Sequence, residues 1–176
     1  MESQSTRRQV FHAMVFLASL AMSSRAAAQT AGVKVGAAAP EVLIQTRDGR
    51  TVRLSEFTEG KPAVLEFWAT WCPLCQKLEP AMAAAQAKHG KDVVFISVGV
   101  RDQQTPEVQK AYARDRKLGG HFVFDKNGDA VKAFQVPHPS FVVVVDAAGT
   151  VVYTGVGPDQ DLEAAIGQLM MRAGTD

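Results

Sequence analysis

The chain has 176 residues, is 47% hydrophobic and balances 19 Lys and Arg against 18 Asp and Glu. That length fits one domain of the usual ~100–200 residues, and that apolar content can build a packed core, which excludes a disordered chain. A net charge of +1, with no basic cluster beyond the extreme N-terminus, leaves no face for nucleic acid, and two cysteines are too few for a multi-disulfide framework or a four-cysteine metal site.

Residues 1–28 carry the layout of an export signal. Arg7-Arg8 forms a positive start, Val10 to Met22 is mostly apolar, and Ala26-Ala27-Ala28 offers small residues for cleavage. The apolar run has the length of a cleaved signal (about 7–15 residues) rather than of a membrane span (about 20). Cleavage after Ala28 is expected, with an uncleaved anchor as the alternative. Thr6 to Phe11 is also similar to a twin-arginine signal. The compartment implied is oxidising, a bacterial periplasm. Residues 29–39 read as a linker and residues 40–176 as the domain.

Past Pro40, Val42-Leu43-Ile44 is a strand candidate. Asp48-Gly49 is a hairpin turn leading to an alternating strand at Thr51 to Leu54. Ala63 to Trp68 reads as a buried strand interrupted by one acid, Glu66. Residues 73–89 form a helix candidate with Cys75, Leu78, Met82, Ala85 and His89 on one face and Pro80 as an internal kink. Val93 to Val98 is a continuous apolar run, as in a parallel strand covered on both sides. Thr105-Pro106 opens a helix whose face continues through Val108, Ala111, Tyr112 and Leu118. His121 to Phe124 is a short strand, Ala130 to Phe134 a helical turn, and Phe141 to Val145 pairs with Thr150 to Thr154. A last helix at about 159–172 carries Leu162, Ala165, Ile166, Leu169 and Met170. Alternating strands and helices predict a parallel section with right-handed crossovers, and the hairpins add antiparallel strands.

The chemistry-bearing stretch is Glu66-Phe67-Trp68-Ala69-Thr70-Trp71-Cys72-Pro73-Leu74-Cys75. A C-x-x-C pair alone fits either half a metal site or a redox couple. Here it follows a buried strand and opens a helix, a context that favours redox chemistry. At the helix N-terminus free N–H groups and the macrodipole favour an anion, so the Cys72 thiolate is stabilised and its pKa lowered. Cys75, one turn further in, is shielded and placed to attack a mixed disulfide on Cys72.

These residues resemble the thioredoxin superfamily over nearly all of residues 40–172. Trp71-Cys72-Pro73-Leu74-Cys75 matches its W-C-x-x-C site, and Pro80 its mid-helix proline. The Arg47 to Pro62 lead-in and residues 121–134 look like the exported TlpA/ResA-type branch, thiol–disulfide oxidoreductases of which many are reductants, for instance in cytochrome c maturation. The resemblance implies a thioredoxin-like α/β fold, a mixed central sheet with helices on both faces. Cys72 and Cys75 are then catalytic. Glu66 takes the place of a buried acid that relays a proton to or from Cys75; burial alone raises the pKa of such an acid. Pro139 matches the family's cis-proline facing the couple. His138, just before it, would acidify Cys72 if it lies close, and Trp71 and Pro73 would meet the substrate. No cofactor and no metal are expected. The partners implied are exported thiol or disulfide proteins and a membrane thiol electron donor, with the protein a monomer.

The chain departs from the family twice. Pro139 stands one residue farther from Asp146 than the family pattern places it, and Leu78, followed by Glu79, occupies a position where many of these reductases carry an acid. Two rivals use the same cysteines. A copper or zinc chaperone could add His138, although chaperones of related fold use C-x-x-x-C. A peroxidase would need Thr-x-x-Cys, where this chain has Trp71-Cys72. A thiol oxidase is the third alternative, set only by redox direction.

Overall fold

The computed structural model describes residues 32–173, with side chains placed to residue 170. The expected signal segment and its cleavage site lie outside the described residues. Seven strands form one sheet: β1 (Leu43–Thr46), β2 (Thr51–Arg53), β3 (Ala63–Trp68), β4 (Val94–Val100), β5 (His121–Asp125), β6 (Phe141–Val145) and β7 (Val151–Val156). Among the described residues four α-helices accompany them: α1 (Pro73–His89), α2 (Pro106–Asp115), α3 (Asp129–Ala133) and α4 (Leu162–Ala173). A 3-10 turn, Leu54–Phe57, follows β2 where the sequence suggested only the end of a strand. Among the described residues no helix is long and apolar enough to cross a membrane.

The strand order is β2-β1-β5-β4-β3-β6-β7. β3, β4 and β5 are mutually parallel, and the other pairings are antiparallel. Both parallel crossovers step the same way across the sheet, so right-handed connections put α1 and α2 on one face. Val64, Val142 and Val144 pack there against Leu78, Met82 and Ala85 of α1 and Leu162, Ile166 and Leu169 of α4. The opposite face buries Leu65, Phe67, Ile96, Val98, Phe141 and Val143 with Ala130 of α3 and Phe134. β3 is buried at all six positions because it is central and covered on both sides. The mixed sheet with helices on both faces is the fold expected.

Two differences from the sequence reading have physical causes. The α2 face is rotated: Val108 is exposed, while Gln109 and Ala113 are buried. Gly99 on β4 leaves the space, since a Cβ there would stand 1.8 Å from Gln109 Oε1. The stretch read as a linker is docked from Gly32 onward. Val33 is buried and donates its N–H to the Phe134 carbonyl at 2.9 Å; Gly36 and Ala39 donate to Val151 and Gly149. Small residues, which look featureless in sequence, are what permit so close an approach to the sheet edge.

Candidate active site

β3 delivers Trp68 to the C-terminal edge of the sheet, and the chain turns through Ala69-Thr70-Trp71 into α1. Cys72 is the N-cap of that helix, with φ −84° and ψ 109°, and Pro73 stands at the first helical position, where its missing N–H costs nothing. Cys72 Sγ accepts the Cys75 N–H at 3.1 Å. The two cysteines form a disulfide with Cα atoms 5.3 Å apart. Both are buried, at 4% and 2% exposure. The sulfur that would carry charge after reduction therefore already faces an orphan helix N–H and the positive end of the dipole.

A loop after β4 clamps this turn. Gln104 Oε1 accepts from Thr70 N–H at 3.0 Å and Thr70 Oγ1 at 3.1 Å, while its Nε2 donates to the Val100 carbonyl at 2.5 Å. Trp71 Nε1 donates to the Asp102 carbonyl at 2.8 Å, and Gln76 Nε2 to the Thr70 carbonyl at 3.2 Å. Sequence reasoning missed Gln104 and Asp102. A glutamine in a polar loop carries no signal of its own until the fold shows which backbone groups it meets.

Glu66 points to the α1 face with Val64 and Trp68, by the alternation of a strand. It pairs with Ser97 on β4 and Val142 on β6. Only 7% exposed, its carboxyl is pushed up to about 8 by burial first and by the nearby Glu79 charge second. The acid is thus protonated at neutral pH, the state in which a buried carboxyl can donate as well as accept a proton.

The segment before β6 departs from expectation. Among the described residues there is no cis peptide bond, so the expected cis-proline at Pro139 is corrected to trans. Ser140 makes the turn instead, at φ 74° and fully buried. Its N–H donates to the Phe67 carbonyl at 2.8 Å, and its carbonyl accepts from Gly157 N–H and Gln160 Nε2. The residue that puts Pro139 out of register with Asp146 is absorbed by this left-handed serine. His138 is exposed, and a ring nitrogen donates to the Pro139 carbonyl at 2.7 Å.

Trp71, His138 and Pro139 line one groove of about 490 Å³ together with Arg101, Val131 and Val136. Trp71 is 41% exposed. Pro73 is exposed at the start of α1 and is not part of that groove lining. Cys72 and Cys75 open α1 beyond the C-terminal end of β3, and Glu66 lies within β3 on the face that α1 covers. Among the described residues no three His, Cys, Asp or Glu side chains gather as a metal ion would require.

Comparisons with known proteins agree with this geometry. The profile of the Redoxin family matches residues 34–169. The thioredoxin-like protein YneN of Bacillus subtilis is 26% identical over 135 residues, 75% of this chain and 78% of that protein. The thiol-disulfide oxidoreductase ResA of Bacillus thuringiensis subsp. konkukian is 27% identical over 120 residues, 68% of each chain. In fold, a crystal structure of a thiol:disulfide interchange protein of the thioredoxin family from Chlorobium tepidum superposes with a TM-score of 0.64 at 22% identity, covering 78% of this chain and 98% of that one. A helix-capping cysteine disulfide-bonded one turn into its own helix, on a sheet of this order, places the chain in the Redoxin family of the thioredoxin superfamily, as a thiol–disulfide oxidoreductase.

Proposed function

We propose that this oxidoreductase works as a reductant of disulfides in exported proteins. Cys72 is the nucleophile, Cys75 the resolving thiol and Glu66 the buried proton acceptor and donor for Cys75. The observation that carries the reading is the capping geometry: Cys72 Sγ, and not Cys75 Sγ, accepts a helix N–H at 3.1 Å. In the reducing direction the Cys72 thiolate attacks a substrate disulfide, forms a mixed disulfide and expels one substrate thiolate. Glu66, once it has released its own proton, takes the proton of Cys75, which attacks Cys72 Sγ, releasing the second substrate thiolate and closing the Cys72–Cys75 bond. Two electrons pass to the substrate, and a membrane thiol donor restores the dithiol.

Trp71, His138 and Pro139 supply the surface on which the substrate segment lies, with Pro73 at its edge. Direction rests on the uncharged Pro73-Leu74 dipeptide between the cysteines, which leaves the Cys72 thiolate only moderately stabilised, and on the TlpA/ResA-like resemblance. A less stabilised reduced form means a lower potential. Equilibration with glutathione buffers tests this. The expected value lies nearer thioredoxin's about −270 mV than DsbA's about −120 mV. A potential close to the latter would make the protein a thiol oxidase. Export with cleavage after Ala28 belongs to the same proposal. The intact mass of the protein from the periplasmic fraction should begin at Gln29, and an uncut chain in the membrane would replace cleavage by anchoring.

A further inference from the structure

We propose that Glu79 is a positioning residue that forms, with Tyr112 and Arg116, the proton outlet of the active-site couple, joining buried Glu66 to solvent through the cleft between α1 and the end of α2. The inference rests on the redox reading above and deepens it.

Glu66 lines a cavity of about 130 Å³ together with Glu79, Gln86, Ser97, Arg116 and Lys117. That space is large enough to admit water. Of the lining residues, the Glu79 side chain is 16% exposed and that of Arg116 is 47% exposed. The Glu79 carboxylate is held at both oxygens. Oε1 accepts from the Tyr112 hydroxyl at 2.6 Å, and Oε2 from Arg116 Nη1 at 3.0 Å. The Arg116 guanidinium lies over the Tyr112 ring, 4.9 Å from its centroid, so the three groups brace one another. Burial and the adjacent carboxylate push the Tyr112 hydroxyl up to about 12, which keeps it a donor throughout the working range.

The groups facing Glu66 from each neighbouring element are few. α1 presents Glu79. α2 and the residues after it present Tyr112, Arg116 and Lys117. β4 presents Ser97 and β6 presents Val142, neither of which titrates in this range. Glu66 is protonated at neutral pH, so it must release that proton outward before it can take one from Cys75. None of the other groups both touches the cavity and carries a carboxylate. Glu79 is therefore the group that orders the outlet, and its negative charge favours the protonated form of Glu66 until the proton is passed outward.

The test is single-turnover oxidation of the reduced protein by oxidised glutathione, followed by Trp fluorescence from pH 5 to 9. The resolving step should speed up as pH rises through an inflection belonging to the Glu66–Cys75 pair. Glu79→Gln should slow that step roughly three- to tenfold, less than the hundredfold or more of a direct general base, and move the inflection to lower pH. Glu79→Asp should restore both. Arg116→Met, at an exposed position, should move the inflection upward by leaving Glu79 uncompensated. A purely structural role gives no such opposed shifts. Inflections unchanged in Glu79→Gln and Arg116→Met overturn the outlet, as does a shift in Glu79→Gln without loss of rate. If Glu79→Gln does not fold, Arg116→Met decides alone: an upward shift together with a slower limiting rate above the inflection supports the outlet, and an unchanged inflection or an unchanged limiting rate overturns it. A wild-type protein that exchanges no disulfide at all would instead overturn the parent redox reading.

Discussion

The two cysteines are identical in chemistry and differ only in their position along one helix turn. The dipole and the free N–H groups act mainly on the first turn, so the asymmetry is large at Cys72 and small at Cys75. After reduction, alkylation at pH 7 should label Cys72 several-fold faster than Cys75, because the helix N-terminus lowers its thiol pKa and raises its thiolate fraction. Cys75→Ser should trap mixed disulfides on Cys72, and equal labelling of the two would sink the assignment. Glu66 makes a separate prediction. Its carboxyl, ordinarily near 4.5, is raised to about 8 in the folded protein. Between those values the native state holds a proton that the unfolded chain has released, so stability is fully present below pH 4.5 and is lost as pH rises through 8. The loss by pH 9 is on the order of a few kcal/mol. Urea unfolding across this range should show the slope in the oxidised protein and a flat line in Glu66→Gln.

At the scale of elements, the site is an agreement between the start of α1 and the loop after β4. Gln104 spans that gap and satisfies the Thr70 N–H, which is partly buried. Gln104→Ala leaves this donor without its partner, at a cost of about 1–3 kcal/mol. For a domain of this size each kcal/mol shifts the thermal midpoint by roughly 2–4 °C. A melt should therefore drop by several degrees, and Trp71, released from a clamped turn, should change its fluorescence. A midpoint within a degree of wild type would show that the clamp contributes nothing. The α1 face was legible because Leu78, Met82 and Ala85 recur at helical steps and are buried as that spacing demands. The α2 face was misread, since Val108 looks like core and Gln109 does not; only Gly99 across the gap reverses them.

For the whole molecule, the N-terminal stretch and the active-site edge meet in one aromatic cluster. Phe67 packs against Phe134 at 5.3 Å and Phe141 at 6.1 Å between ring centroids. Gly32 sits against the Phe141 ring at φ 121°, where a Cβ would stand 2.3 Å from Phe141 Cζ. Phe67 also accepts at its carbonyl from Ser140, the residue that turns the chain into β6. Gly32→Ala should thus cost about 1–3 kcal/mol through overpacking and a backbone angle that alanine rarely adopts. Differential scanning calorimetry would detect it, and an unchanged unfolding temperature would mean that the segment is not docked in solution.

The amino-acid sequence by itself determined the element order, the central buried strand, the helix that starts at Cys72 and the redox pair, because each follows from local periodicity or from residues a few positions apart. It also marked Glu66, since one acid within an apolar strand stands out wherever the strand lies. The tertiary structure decided what depends on distant segments meeting. Pro139 is trans, and Ser140 turns left-handed where its N–H finds the Phe67 carbonyl. Gln104, Tyr112 and Arg116 acquire roles only when α2 closes over α1, 33 and 37 residues from Glu79 in the last two cases. Residues 32–39 become part of the domain because small side chains dock along a sheet edge whose position no local pattern specifies.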